Sequence, residues 1–236
     1  MCEFCTKHGD GQVWFKNAKN YAYDLIADLE RRKYISEFID TTMKEGIVSI
    51  GRLESIYKNR GRLPNRVTDK IVEQAKIDHF GQVVTIEDVE EIVNNAATIV
   101  RLPCACRWAS AKKENRCCYC VSYSAEYWYE DIDMSSFGLA QSEGLEELLK
   151  EEDLIQMKDL EQGGAVHTIL TLNTPFIGAF CICTPEDCLG LRSLSVVIET
   201  MFRGEGVAVI NETKCSGCGL CELACHFDAI NDKTLG

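Results

Sequence analysis

Four cysteines near the carboxyl end of the chain have the spacing that most directly predicts chemistry. Cys215, Cys218, Cys221 and Cys225 form the pattern C-x2-C-x2-C-x3-C. Gaps of two residues let a short loop place successive thiolates on different corners of one iron–sulfur cubane. Two glycines within the run give the backbone the freedom that so tight a loop requires. The run therefore predicts an iron–sulfur site.

The same segment resembles a bacterial-type ferredoxin domain. Residues 207–215 are similar to the strand that leads into the cluster loop of that family, and Ala229-Ile230 to its closing turn. The family usually has proline after the last cysteine, where this chain has His226. In looser spacing, residues 101–236 resemble larger ferredoxin-like iron–sulfur proteins of anaerobic microbes. The resemblance implies transfer of single electrons through [4Fe–4S] clusters.

Three further cysteines lie upstream, at Cys181, Cys183 and Cys188. In two-cluster ferredoxins the fourth cysteine of each run binds the other cluster. The resemblance therefore groups Cys188 with the first three cysteines of the carboxyl run at one cluster. It groups Cys225 with Cys181 and Cys183 at a second cluster, which still lacks one donor.

A third group of cysteines comprises Cys104, Cys106, Cys117, Cys118 and Cys120. Adjacent side chains point in different directions, so Cys117 and Cys118 are expected to face different clusters. The cysteines from 104 onward make three sets of four, which favours three clusters. Two clusters with spare thiols is the alternative, and zinc is the rival metal for this group, because zinc also binds Cys-rich sites.

The amino end offers three donors, Cys2, Cys5 and His8. They could bind zinc or part of a cluster completed by another chain, and unligated reduced thiols are the remaining interpretation. The order of residues is not C-x-x-C-H, so haem attachment is not indicated. His79 and His167 lie among apolar neighbours and are expected to be packing residues.

Helices are predicted to dominate the chain before residue 101. Apolar residues at helical spacing predict a helix at 17–39, in a stretch closed by Gly46, and a second helix at 68–79. A third helix is predicted to start with a capping box at Thr85 and to present an apolar stripe as far as Val100. These helices are expected to form a packed layer.

The remaining chain is predicted to mix strands and helices around the cysteines. A charged helix is expected at 142–152, and two paired strands at 165–172 and 177–182. An apolar helix is expected at 191–202, followed by a short strand at 207–210. The predicted fold is therefore α+β, with a helical region at the amino end and a ferredoxin-like domain at the carboxyl end.

We divide the sequence into three segments on this basis. Residues 1–100 form the helical region and a candidate subunit contact. Residues 101–175 form a cysteine-containing α/β region, and 176–236 the ferredoxin-like iron–sulfur domain. The chain of 236 residues is long enough for two small domains.

The cysteine content and the net charge of the chain exclude some classes of function. The chain has 14 cysteines and a net charge of −12, and most of the negative charge lies in 101–236, which has 11 basic and 21 acidic residues. Such a surface repels phosphate backbones, so nucleic-acid binding is not expected. No secretory signal or membrane span is recognised, which predicts a cytoplasmic protein with reduced thiols.

These features predict an electron-transfer iron–sulfur protein or subunit with two or three [4Fe–4S] clusters and no catalysis of its own. Its expected partners are redox proteins, either a flavoprotein or other oxidoreductase subunits, in an oligomer or complex. One alternative is a reductive activator or an oxidoreductase subunit with a substrate-accessible cluster. The other is a zinc-stabilised assembly module.

Overall fold

The computed structural model describes residues 33, 36–78, 81–113, 115–122, 133–140, 146–147, 149–170, 179–202, 204, 208–225 and 229–230. The chain divides into two compact units, at 1–205 and 206–236, which are described separately. Several residues singled out in the sequence lie outside the described residues, namely Cys2, Cys5, His8, His79 and His226.

Two helices begin the described part of the first unit. A π-helical turn at Phe38–Thr42 leads directly into α1 at Met43–Arg60, and α2 spans Asn65–Asp78. Because α1 passes through Gly46, the prediction that helical structure closes there is wrong. A Cβ at Gly46 would lie 2.9 Å from Leu189 Cδ2, so this glycine allows a close packing contact and does not stop the helix.

The third predicted helix starts where the sequence indicates and ends earlier. In α3, at Ile86–Asn95, the Thr85 hydroxyl accepts the N–H of Asp88, whose carboxylate accepts the N–H of Thr85. The capping box is thus confirmed. The backbone then turns extended at Ala96, and the β-branched residues that follow form a strand, so the predicted helical stripe to residue 100 is wrong.

Within the described residues, a sheet of seven strands forms the centre of the first unit. Its spatial order is β4-β2-β3-β6-β5-β1-β7, and every pairing is antiparallel except β1 with β7. The predicted pairing of the two strands on either side of residue 175 is confirmed by β5 and β6. The strands are β1 Gly81–Val83, β2 Thr98–Leu102, β3 Cys118–Ser122, β4 Glu146–Glu147, β5 Val166–Leu170, β6 Ala179–Cys183 and β7 Met201–Phe202.

The remaining described helices lie between these strands, except for the last, which lies in the second unit. They are α4 Ala105–Ala111, a 3₁₀ turn Met134–Phe137, α5 Lys150–Gln162, α6 Leu189–Ser195 and, in the second unit, α7 Leu220–Ala224.

Two predicted helices have different bounds in the structure, and one predicted strand is not formed by its described residues. The helix expected at 142–152 begins only at Lys150, and 142–145 lie outside the described residues. The helix expected to reach residue 202 ends at Ser195, and Val197 follows with a left-handed φ of 61°. Residues 208–210, within the predicted strand at 207–210, have no regular secondary structure.

Helix α5 contacts one face of the sheet through polar side chains. Asp153, which has no exposed surface, accepts hydrogen bonds from Nε and Nη2 of Arg101 on β2 at 3.2 and 2.8 Å. Tyr119 on β3 donates to Gln156, and His167 on β5 is paired with a carbonyl of the same helix at 3.3 Å. Cys118 and Cys120 flank Tyr119 in β3, and Cys181 and Cys183 flank Ile182, which pairs with His167. These cysteines therefore face the other side of the sheet.

The fold contains helices and a sheet, so an α+β class holds. Strands from residues 81–102, 118–122 and 179–202 share the same sheet, whereas 206–236 separates as its own compact unit. The three sequence segments remain a prediction about boundaries. Among the described residues no helix is long and apolar enough to cross a membrane.

Candidate metal centres

Four cysteines on neighbouring strands share one face of the sheet. Cys118 and Cys120 alternate with a buried tyrosine along β3, and Cys181 and Cys183 alternate with a buried isoleucine along β6. Cys118 lies directly opposite Cys181 in the antiparallel ladder, with their Sγ atoms 3.8 Å apart. Opposed residues project from the same face, so the sheet gathers all four thiols on one side.

Part of this face forms a four-thiol pocket, made of Cys104, Cys117, Cys118 and Cys183. Their Sγ atoms all lie within 4.8 Å of one another, and all four residues are buried. The Sγ of Cys183 lies 3.8 Å from the Sγ of Cys104 and 3.8 Å from that of Cys117. Because thiolates are the preferred ligands of zinc and of iron–sulfur centres, this pocket is a candidate metal centre.

The loop between α4 and β3 brings the first two members of the pocket together. Cys104 follows β2 and immediately precedes α4. The carbonyl of Asn115 accepts the N–H of both Cys104, at 2.7 Å, and Cys117, at 3.2 Å. The carbonyl of Cys117 in turn accepts the N–H of Ile182 at 3.0 Å, which ties this loop to β6.

Hydrogen bonds among the thiols shift the pKa values of the pocket cysteines in opposite directions. Hydrogen bonds from Cys106 and Cys117 hold the pKa of Cys104 far below its ordinary value. The same coupling to Cys104 raises the pKa of Cys118 and of Cys183 well above the ordinary value. Metal binding requires thiolates, so a bound cation would displace the remaining protons.

The other four described cysteines of the first unit are Cys181 and three cysteines that interact with it. Cys106 is half-buried, whereas Cys120, Cys181 and Cys188 are buried. Cys106, Cys120 and Cys188 each interact electrostatically with Cys181. Burial first, and Cys181 second, raise the pKa of Cys188 to about 12, against the opposing effect of backbone N–H groups at the start of α6.

One arginine supplies positive charge next to the four-thiol pocket. Arg107 Nη2 lies 2.8 Å from Asp187 Oδ2, and Thr184 donates to the same carboxylate oxygen at 3.1 Å. Burial disfavours the guanidinium charge, but Cys117 and Asp187 outweigh this effect and raise the pKa of Arg107. Arg107 is therefore anchored as a cation beside the thiols.

The carboxyl run of the second unit has the local structure of a cluster loop. Two glycines within it have left-handed φ angles of 68° and 71°, which side chains with a Cβ rarely adopt. The Gly217 N–H points at Cys215 Sγ at 3.5 Å, and the Ala229 N–H at Cys225 Sγ at 3.4 Å. N–H groups directed at sulfur stabilise the negative charge of a bound cluster, so this donor set fits a [4Fe–4S] cluster.

Three cysteines of this run are more exposed than any described cysteine of the first unit. Cys215, Cys218 and Cys221 are exposed and Cys225 is half-buried. The N–H of Leu220, followed by the Ser216 hydroxyl, lowers the pKa of Cys218. A lowered thiol pKa favours the thiolate form that binds iron.

The structure brings together residues that the sequence grouped differently. Cys117 and Cys118 were expected to face different clusters, yet both Sγ atoms belong to the four-thiol pocket. Cys183 joins them from a segment that the resemblance paired with Cys225. The proposed sharing of ligands between 181–188 and 215–225 stays a prediction.

Sequence reasoning also missed the anchoring role of Asp187. The C-x-C spacing at 118–120 and 181–183 was nevertheless an available signal, because residues two apart in a strand share a face. Applied to two neighbouring strands, that rule would have placed these four thiols together.

Comparison with known proteins identifies part of the second unit. No curated protein and no solved structure gave a match to the chain. Residues 208–231 match the family model described as a 4Fe-4S binding domain. The bacterial-type [4Fe–4S] ferredoxin domain expected from the cysteine spacing is thereby confirmed over this stretch of the chain.

Proposed function

We propose that this chain is an electron-transfer iron–sulfur protein or subunit that exchanges single electrons with a larger redox enzyme of anaerobic metabolism. The observation that carries the proposal is the run of four cysteines at 215–225, with its N–H···S contacts, inside the stretch that matches a [4Fe–4S] family. A [4Fe–4S] cluster supplies one-electron redox chemistry when bound. The chain supplies the thiolates, the loop and the hydrogen bonds.

Exposure of the run supports exchange with a partner protein. Three of its four cysteines are exposed, so a docked partner can approach the ligands of a cluster held there. The net charge of −12 favours partners with a basic docking surface, and flavoproteins or other oxidoreductase subunits are the proposed class.

The buried cysteines of the first unit support further centres. Cys181, together with the three cysteines that interact with it, is the donor set we propose for a second cubane. Three of these thiols are buried and the fourth is half-buried. Their burial favours an electron conduit over a substrate-binding iron, because a substrate needs open access to the metal.

Anaerobic purification of the full chain, followed by iron and acid-labile sulfide analysis and EPR of the reduced protein, tests the proposal. We expect Cys218→Ser to remove about four iron and four sulfide per chain and one EPR signal. Glu222→Gln, at an exposed position between two cysteines of the run, is the matched control, and it should retain the full complement. A chain prepared without oxygen that contains no iron would contradict the proposed function.

A further inference from the structure

We propose that the four-thiol pocket of Cys104, Cys117, Cys118 and Cys183 binds one tetrahedrally coordinated metal ion, zinc or iron, and not a cubane. This site is separate from the carboxyl run that carries the proposed function.

The distances between the sulfur atoms fit a single ion. A tetrahedral ion with metal–sulfur bonds of about 2.3 Å places its thiolates about 3.8 Å apart. In the pocket, Cys183 Sγ lies 3.8 Å from both Cys104 Sγ and Cys117 Sγ. All four sulfurs stay within 4.8 Å of one another, so one central ion can contact each of them.

A cubane needs a wider set of donors. Each thiolate binds a different iron, and bridging sulfides separate the irons, so the cysteine sulfurs lie further apart than around a single ion. The carboxyl run provides a comparison within the same chain. Across the described residues, the four-thiol pocket is the one group of three or more Cys, His, Asp or Glu donors that meets the 4.8 Å limit. The run at 215–225, which matches a cubane-binding family, does not meet it.

The surroundings of the pocket also suit a closed, four-coordinate site. The exposed fractions are 1% for Cys104, 1% for Cys117, 8% for Cys118 and 2% for Cys183. This leaves no open position for water or substrate, which is typical of structural metal sites. Four thiolates around a divalent ion retain a net negative charge. Arg107, which is paired with Asp187 at 2.8 Å, lies beside the thiols and offsets part of that charge.

The position of the ligands gives the ion a structural role. Cys104 follows β2, Cys117 precedes β3, Cys118 is the first residue of β3, and Cys183 is the last residue of β6. A single ion would therefore cross-link three adjacent strands at one end of the sheet. Such a link stabilises the folded chain, because the unfolded chain lacks a preformed site.

Metal analysis of the unmodified full chain is the first test. Cubanes contain iron and sulfide in equal amounts. We therefore expect one of two results. About one zinc per chain would identify the ion as zinc, and about one iron per chain in excess of acid-labile sulfide would identify it as iron. Equal iron and sulfide with no zinc would overturn the proposal.

Two variants locate the ion. Cys117→Ser and Cys183→Ser should each lose about one metal ion per chain and no sulfide. Cys218→Ser is the control, which should lose iron and sulfide together and retain the single ion. Loss of about four iron and four sulfide in the pocket variants would overturn the single-ion site while leaving the electron-transfer proposal intact. Unchanged metal content in these variants would also overturn it.

Discussion

A buried ion pair, Arg101 with Asp153, lies on the sheet face opposite the thiols. Asp153 is fully buried beneath β2 and accepts both Nε and Nη2 of Arg101, whose side chain is 12% exposed. The guanidinium also lies over the Tyr119 ring, 5.8 Å from its centre. Removing one member of such a pair leaves the other charge without its counter-ion in a low-dielectric environment.

We therefore expect Asp153→Asn to lower the free energy of unfolding by about 3 kcal/mol. Glu90→Gln is the matched control, since Glu90 pairs with Lys158 on the surface, where their side chains are 38% and 48% exposed. It should cost less than about 1 kcal/mol. Anaerobic urea unfolding measures both values, and equal costs would contradict the role assigned to burial.

His167 should make stability depend on pH in the weakly acidic range. Burial is the main reason that its pKa is lowered, and Glu161 only partly offsets this effect. Below the ordinary histidine pKa of about 6.5, the unfolded chain therefore binds the proton more readily than the folded chain. The free energy of unfolding should fall as pH drops from about 7 to 5, and His167→Gln should reduce that slope. Identical slopes in denaturation series of the two proteins would refute this.

A comparison of Gly138 with Gly61 separates the cost of backbone strain from the cost of a steric clash. Both have left-handed backbones, with φ of 82° at Gly138 and 69° at Gly61. A Cβ at Gly138 would lie 2.6 Å from a ring carbon of Trp108 on α4, whereas nothing lies within 4 Å of one at Gly61. The two sites therefore share backbone strain and differ in the steric clash.

We expect Gly61→Ala to destabilise the protein by about 1 kcal/mol through backbone strain alone. Gly138→Ala should cost about 3 kcal/mol, because displacement of the Trp108 ring adds to the same strain. Thermal unfolding of the two variants under anaerobic conditions provides the comparison. The packing explanation fails if the two melting temperatures shift equally.

Elements were predictable from the sequence where local chemistry decides them. The capping box at Thr85 depends on two side chains three residues apart, and it was found. The end of that helix was not, because Val100 fits a helical stripe as well as a strand, and pairing with β3 selects the strand. The role of Gly46 was predicted wrongly for a similar reason. Glycine is required there by the close approach of Leu189, which lies on a helix distant in sequence.

In the candidate metal centres, too, local sequence predicted only the features that neighbouring residues determine. The carboxyl run was identified because all of its donors lie within eleven consecutive residues. The four-thiol pocket joins Cys104 to Cys183, which are 79 residues apart in sequence. Only the strand order and register bring them together, and local spacing contains neither.

At the scale of the whole molecule, charge should govern how small redox partners reach the chain. The net charge of −12 attracts cations and repels anions over a distance set by ionic strength. The Debye length shortens from about 30 Å at 0.01 M salt to about 10 Å at 0.1 M, so salt should weaken both effects.

Reduction of the oxidised protein by two viologens of opposite charge measures this dependence. The rate constant with a cationic viologen radical should fall several-fold, by roughly three-fold or more, as salt rises from about 0.01 to 0.5 M. The rate constant with the sulfonated, anionic radical should rise over the same range, because screening removes repulsion. The pair of reductants is its own control, since changes in cluster potential with salt would move both rates in the same direction. Parallel changes, or none, would mean that the acidic surface does not control encounter, and the proposed docking on a basic partner would lose its support.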